Sequence, residues 1–203
     1  MPSKVGIINN ALRLLGEPKI AALTSTQPYA VKLVDAYVDE VRSWFEDHDW
    51  AFATNEVQLT QVTPAVAGWS YTFNLPANMS RILRVANSTR PEVPGIRYES
   101  RAGQILTDSE VTFLRYIDGS FIDSEGGWPQ KFADALAARL AEAVYPSTDE
   151  TNSTRDRIEK TRRRRVKDAK AFDAQSKPLG YPPTGRYITT RSLGISGNYR
   201  GRS

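Results

Sequence analysis

The chain has 203 residues, 40% of them apolar, with four Trp, nine Tyr and seven Phe. That is enough for one large domain or two small ones around a real core. It contains no Cys, which excludes disulfides, thiolate metal sites and cysteine nucleophiles. Charge is divided unevenly: residues 154–203 hold 14 Lys and Arg against 4 Asp and Glu, a net of +10, whereas residues 1–153 hold 13 against 19, a net of −6.

Met1-Pro2-Ser3-Lys4-Val5 begins no signal-like apolar run, and no stretch nears the roughly 20 apolar residues of a membrane span. The expectation is a soluble, unprocessed protein made in a cytoplasm. Ser3 is placed to cap a first helix, whose Val5, Ile8, Leu12 and Leu15 recur at helical spacing before Gly16 and Pro18 end it. Thr26 is placed to cap a second, with Pro28 in its first turn, where the missing N–H costs nothing. Ala30, Leu33, Val34, Tyr37, Val38, Val41, Trp44 and Phe45 form its apolar stripe. Asp35, Asp39, Glu40, Glu46 and Asp47 form its acidic face.

The period then changes from 3.6 to 2. Val57 and Leu59 alternate with polar neighbours, Thr63–Gly68 reads as a turn, and Trp69, Tyr71, Phe73 and Leu75 give the clearest strand. Ile82–Val85 is another. Ile96–Ser100 and Gln104–Thr107 flank a hairpin turn at Arg101-Ala102-Gly103, and Val111–Ile117 is the last strand. Helix returns at Trp128-Pro129, with Phe132, Ala135, Leu136, Leu140, Ala143 and Val144 as its buried face. A fourth helix runs from Asn152 or Ser153 to Ala174, with only Ile158, Val166, Ala169 and Phe172 as an apolar edge. The predicted class is α+β. Helices from 1–50 and 128–175 form a four-helix bundle, 51–127 is a small antiparallel β lobe inserted between helices two and three, and 176–203 is an extended C-terminal arm.

Catalytic chemistry finds little support. His48 is the single histidine and has no ligand-spaced partners, so it reads as a boundary residue. Glu46, Asp47 and Asp49 read as a solvated helix end. Asp118, Asp123 and Glu125 share a loop but lack the alternation of a calcium loop. There is no glycine-rich phosphate loop and no GxSxG elbow. No enzyme, cofactor or metal is expected.

The strongest local signal is Arg162-Arg163-Arg164-Arg165, with Arg155 and Lys167 near it. Guanidinium groups suit phosphate, an acidic protein surface, or a solvated helix face in register with Glu159. Four consecutive residues point to all sides of a helix, so they cannot share one ligand. The arm carries Leu179, Tyr181, Tyr187, Ile188, Leu193 and Tyr199 among glycines. It cannot form a core alone and suits ordering on a partner.

The order of motifs resembles the podophage head-to-tail adaptors, the tail tubular protein A group of T7-like phages. The match opens with Ile7-Ile8-Asn9-Asn10-Ala11-Leu12-Arg13-Leu14-Leu15-Gly16-Glu17-Pro18 and Ala22-Leu23. It continues through Asp49-Trp50-Ala51-Phe52-Ala53, the strands at Tyr71–Leu75 and Ile82–Val85, and Trp128-Pro129-Gln130-Lys131-Phe132. The resemblance spans the chain, although the arm matches in character more than in residues. It implies a virion protein of the tail neck, assembled in the host cytoplasm as a homo-oligomeric ring of about twelve subunits. The ring would sit between portal protein and tail nozzle protein, with genomic DNA passing through it without sequence-specific binding and no membrane involved. Docking to portal or neighbouring subunit would fall to the Arg155–Lys167 cations and the arm. The acidic face would line the channel or meet the next subunit, and Pro64, Trp69 and Arg101 in the β lobe would face the nozzle. Two rivals are a DNA-binding protein using its basic C-terminal region, and a virion hydrolase, for which Glu99 and Glu110 form no convincing carboxylate pair.

Overall fold

The computed structural model describes residues 1–62, 68–91, 93–145 and 152–176. It combines four α-helices with two small antiparallel sheets. The helix α1 (Lys4–Leu15) begins as its sequence demands: Ser3 Oγ accepts from the Gly6 N–H, and Gly16 ends the helix at φ +85°, where only glycine is unstrained. Helix α2 (Pro28–Glu46) starts with Pro28 in its first turn, so the residue before it, Gln27, holds the cap position, not Thr26. Gln27 makes no side-chain cap and instead donates from Nε2 to Glu17.

After α2 the chain makes β1 (Thr54–Gln58), β2 (Gln61–Val62), β3 (Tyr71–Asn74), β4 (Met79–Ala86), β5 (Tyr98–Arg101), β6 (Gln104–Thr107) and β7 (Phe113–Asp118). The expected single sheet is two: β1-β7-β4 and β2-β3-β6-β5. Phe73 and Ile105 from one and Val85, Leu114 and Tyr116 from the other share a core. Ile117 turns to the opposite face of β7 and joins the helical core. The first sheet is therefore a middle layer, apolar on both sides, which a single alternating strand pattern does not reveal.

The loop between β5 and β6 has Ala102 at φ +47° and Gly103 at φ +76°, the two left-handed residues of a primed hairpin turn. An alanine there carries a strain that asparagine tolerates better. Ala102→Asn is expected to stabilise the protein by about 1 kcal/mol, read as a raised melting temperature. An unchanged or lower value would contradict the turn.

Helix α3 (Gln130–Val144) occupies the centre and packs against α1, α2 and α4. Its buried set includes Ala133, Ala137, Ala138 and Ala141 beyond the expected face, whereas Ala143 is exposed. A helix covered on several sides buries residues all round, and alanines let its neighbours approach closely. Helix α4 (Asn152–Ser176) buries Ile158 and Ala169 but turns Phe172 outward and Asp173 inward. In α2, Val38 is likewise outward, at 46% exposure.

Candidate functional site

The predicted site residues of α2 separate into two groups. Glu40 and Asp47 face α3, where Arg139 reaches both, takes the Ser43 hydroxyl as a third acceptor at 2.9 Å, and lies 5.0 Å over the Trp44 ring. These carboxylates are clasped within the chain, a use the sequence reading did not foresee because Arg139 is 99 residues from Glu40. Asp35, Asp39 and Glu46 face outward, exposed and without an ion pair among the described residues. They share that outer stripe with Arg42 and with Val31 and Val38, which are 44% and 46% exposed.

The arginine run of α4 divides as helix geometry requires. Arg162 approaches Glu142 of α3 at 2.5 Å, and Arg165 donates from Nη1 to the Asp134 carbonyl at 3.1 Å. Burial lowers the pKa of Arg165 from its ordinary value, the Asp134 carboxylate opposes this, and the nearby Arg13 and Arg164 add to the lowering. Arg163 is exposed and pairs with Glu159 one turn earlier. Arg155, Arg164 and Lys167 are exposed and carry no ion pair among the described residues. Arg157 caps α1 from outside, donating to the Leu14 carbonyl at 3.3 Å, which satisfies an end-of-helix acceptor.

Helices α2 and α4 both pack against α3, and α4 reaches the end of α2, where Lys170 lies 5.8 Å over the Trp44 ring. The outward carboxylates and the outward cations therefore stand on two different helices that both pack on α3.

Where α2 ends, Asp173 is buried, at 4% exposure. Its Oδ1 accepts the Ala51 N–H at 2.6 Å, and its Oδ2 is 3.0 Å from His48 Nε2. The His48 ring packs edge-on against Trp50, with centroids 4.7 Å apart. His48 is thus part of a latch joining the end of α4 to the exit of α2. The signal for it is an aspartate next to Phe172 on the apolar edge of α4, a position the sequence reading did not single out.

The loop carboxylates also have structural work. Burial alone would raise the Asp118 carboxyl, but hydrogen bonds from the Ser120 hydroxyl and N–H, with Asn78 and Asn55, outweigh it and hold the pKa below the usual carboxylate value. Glu125 accepts from the Tyr37 hydroxyl at 3.1 Å; burial, then the Glu125 charge, pushes that phenol far above its ordinary pKa, so it stays a neutral donor. In the β region, Trp69 and Arg101 converge on Glu99, at 3.3 and 3.0 Å, with Arg97 4.9 Å over the Trp69 ring. Glu110 is exposed. Pro64, Leu179, Tyr181, Tyr187, Ile188, Leu193 and Tyr199 lie outside the described residues.

No protein-family model matches the chain, and no curated protein matches it. No helix among the described residues is long and apolar enough to cross a membrane.

Proposed function

We propose that this chain is a head-to-tail adaptor of a short-tailed phage, a structural virion protein whose copies form a ring between portal and tail nozzle. One observation supports the reading: among the described residues, carboxylates of α2 and cations of α4, two helices that both pack on α3, stay exposed and outside the ion pairs between helices. A closed ring requires two different, complementary patches on each subunit. Asp35, Asp39 and Glu46 of one copy would receive Arg163, Arg164 and Lys167 of the next. The helices would then act as a four-helix frame forming the ring wall. The two-sheet region would project from it as a lobe, its Trp69–Glu99–Arg101 cluster available to the nozzle. DNA would pass through the channel, and the C-terminal segment would engage the portal. The order of sequence motifs supports the same class.

The direct test is electron microscopy of the protein mixed with the portal protein of the same phage. A cyclic ring stacked on the portal is expected; free subunits beside bare portals would refute the reading. The flank pairing has its own test. Exposed ion pairs contribute about 0.2–1 kcal/mol each, so reversing Arg163, Arg164 and Lys167 to Glu should weaken self-association roughly tenfold or more. A partner variant with Asp35, Asp39 and Glu46 changed to Lys should restore assembly when mixed with it, giving alternating rings. Unchanged association of the single variants at physiological salt would exclude the pairing.

A second reading, duplex DNA binding, is favoured by the exposed cations Arg155, Arg164 and Lys167, which carry no ion pair among the described residues. It requires DNA affinity that falls steeply with salt and disappears when residues 154–203 are removed.

A further inference from the structure

We propose that the cavity where α2 meets the first sheet receives Phe172 of a second copy of this chain, with α4 of that copy lying along α2. The contact deepens the proposed adaptor, and its place in a ring rests on that reading. The cavity measures about 420 Å³, within the roughly 300–1,000 Å³ of ligand pockets. Phe45, Ile117 and Ile122 line it together with Arg42, Glu46 and Arg81. Phe45 and Ile117 are nearly buried, whereas the three charged residues are exposed, so an apolar floor lies inside a charged rim. Asp49 at 2.5 Å and the Glu46 carbonyl at 3.4 Å hold Arg81 in place. An apolar floor open to water gains by being covered.

Phe172 is the one phenylalanine left exposed, at 45%. Its neighbour Asp173 is pinned by the Ala51 N–H and by His48, which fixes the last turns of α4 with Phe172 outward. The hollow beside its ring holds about 40 Å³, little more than the share of one water molecule, so the ring cannot retract into it. That hollow, lined by Trp50, Pro129 and Phe172 among others, has no residue in common with the larger cavity. The ring that fills the larger cavity is therefore another copy's.

Charge sets the register. On α4, Arg164, Asp168 and Phe172 follow one another by one turn within an arc of about 80°, and all are exposed. On α2, Asp39, Arg42 and Glu46 are spaced by about one turn within an arc of about 60°, and all are exposed. None of the five charged residues has an ion pair among the described residues. With the two helices parallel, Arg164 meets Asp39, Asp168 meets Arg42, and Phe172 arrives over the cavity beside Glu46. An antiparallel course also matches charges, Arg164 with Glu46, but it sets Phe172 on Val38 and leaves the cavity in water. An aromatic side chain anchored in a pocket beside arginine is the arrangement that dominates binding energy at interfaces. Two different surfaces meet in this contact, so its repetition can close a ring.

The chain has no cysteine, so Ser80→Cys in one copy and Gln175→Cys in another supply one thiol each. Ser80 lines the cavity, and Gln175 is exposed one turn beyond Phe172. The two variants are mixed and oxidised, both as free protein at rising concentration and as rings on the portal, and the mixed disulfide is expected. Phe172→Ala should weaken self-association roughly tenfold or more, with the melting temperature little changed because the ring already stands half in water. Asp168→Arg should weaken it too, and adding Arg42→Asp to the same chain should restore it. Absence of the disulfide overturns the inference, as does unchanged association of Phe172→Ala. A disulfide between Asp35→Cys and Gln175→Cys copies in its place also overturns it and marks the antiparallel course. Rings on the portal without the expected disulfide would sink this inference alone. The disulfide without rings would sink the adaptor reading and leave the contact standing.

Discussion

Phe132→Ala is expected to destabilise the protein by about 3–5 kcal/mol, the range for removing a large buried ring. Phe132 is 1% exposed and stands at the start of α3. Its ring centroid lies 4.9–5.7 Å from those of Trp44, Phe45, Trp50, Phe52 and Trp128. Trp44 and Phe45 belong to α2, Trp50 and Phe52 to the segment leading into β1, and Trp128 to the approach to α3. One side chain thus joins the two crossings between the helices and the sheets. Alanine would leave a cavity walled by rigid rings, which cannot collapse as a wall of flexible side chains can. At about 2–4 °C per kcal/mol for a chain of this size, the melting temperature should fall on the order of 10 °C. Phe132→Leu should lose much less because it keeps most of the volume. A loss below about 1 kcal/mol for the alanine variant would show that the ring cluster is not the mechanical centre described here.

The second large effect is expected at Asp173. A buried carboxylate is stable only when its acceptor capacity is used. Asp173 uses it on the Ala51 N–H and on His48. Asp173→Ala strands that N–H beside Trp50 and removes the pin between α4 and the exit of α2. Hydrogen bonds to charged groups contribute about 1.5–3 kcal/mol, so a loss of about 2–4 kcal/mol is expected. Asp173→Asn keeps one acceptor oxygen and should lose less. Hydrogen exchange should locate the damage in the last turns of α4 and in residues 48–53, with α1 little affected. Uniform loss of protection would mean that the pin stabilises the whole fold, not the end of α4.

Much of the local structure was legible because it follows from short-range rules. Ser3 and Gly16 fixed the ends of α1, Pro28 the start of α2, and the alternation around Tyr71 and Phe73 the identity of β3. Those signals need only the chain's neighbours along the sequence. The errors are of one kind. Val38 and Phe172 were expected inside, and Asp173 was not noticed, because periodicity gives an apolar arc without its edges. The centre of the buried arc depends on which helices pack against it. For α4 it is α3 and the segment at Ala51, and these rotate Asp173 inward and Phe172 out.

The candidate site was half legible for the same reason. The sequence alone established an acidic α2, a basic α4 and a C-terminal segment free of carboxylates, because charge is a property of composition. It also implied that four consecutive arginines could not act together, because helical residues turn through about 100° each. Which of those charges remain for a partner was decided by tertiary structure. Arg139 takes Glu40 and Asp47, Glu142 takes Arg162, and the Asp134 carbonyl takes Arg165. The remaining carboxylates stay on α2 and the remaining cations on α4, and both helices pack on α3. A chain determines its charges one residue at a time, but long-range packing decides which of them are neutralised and which face outward.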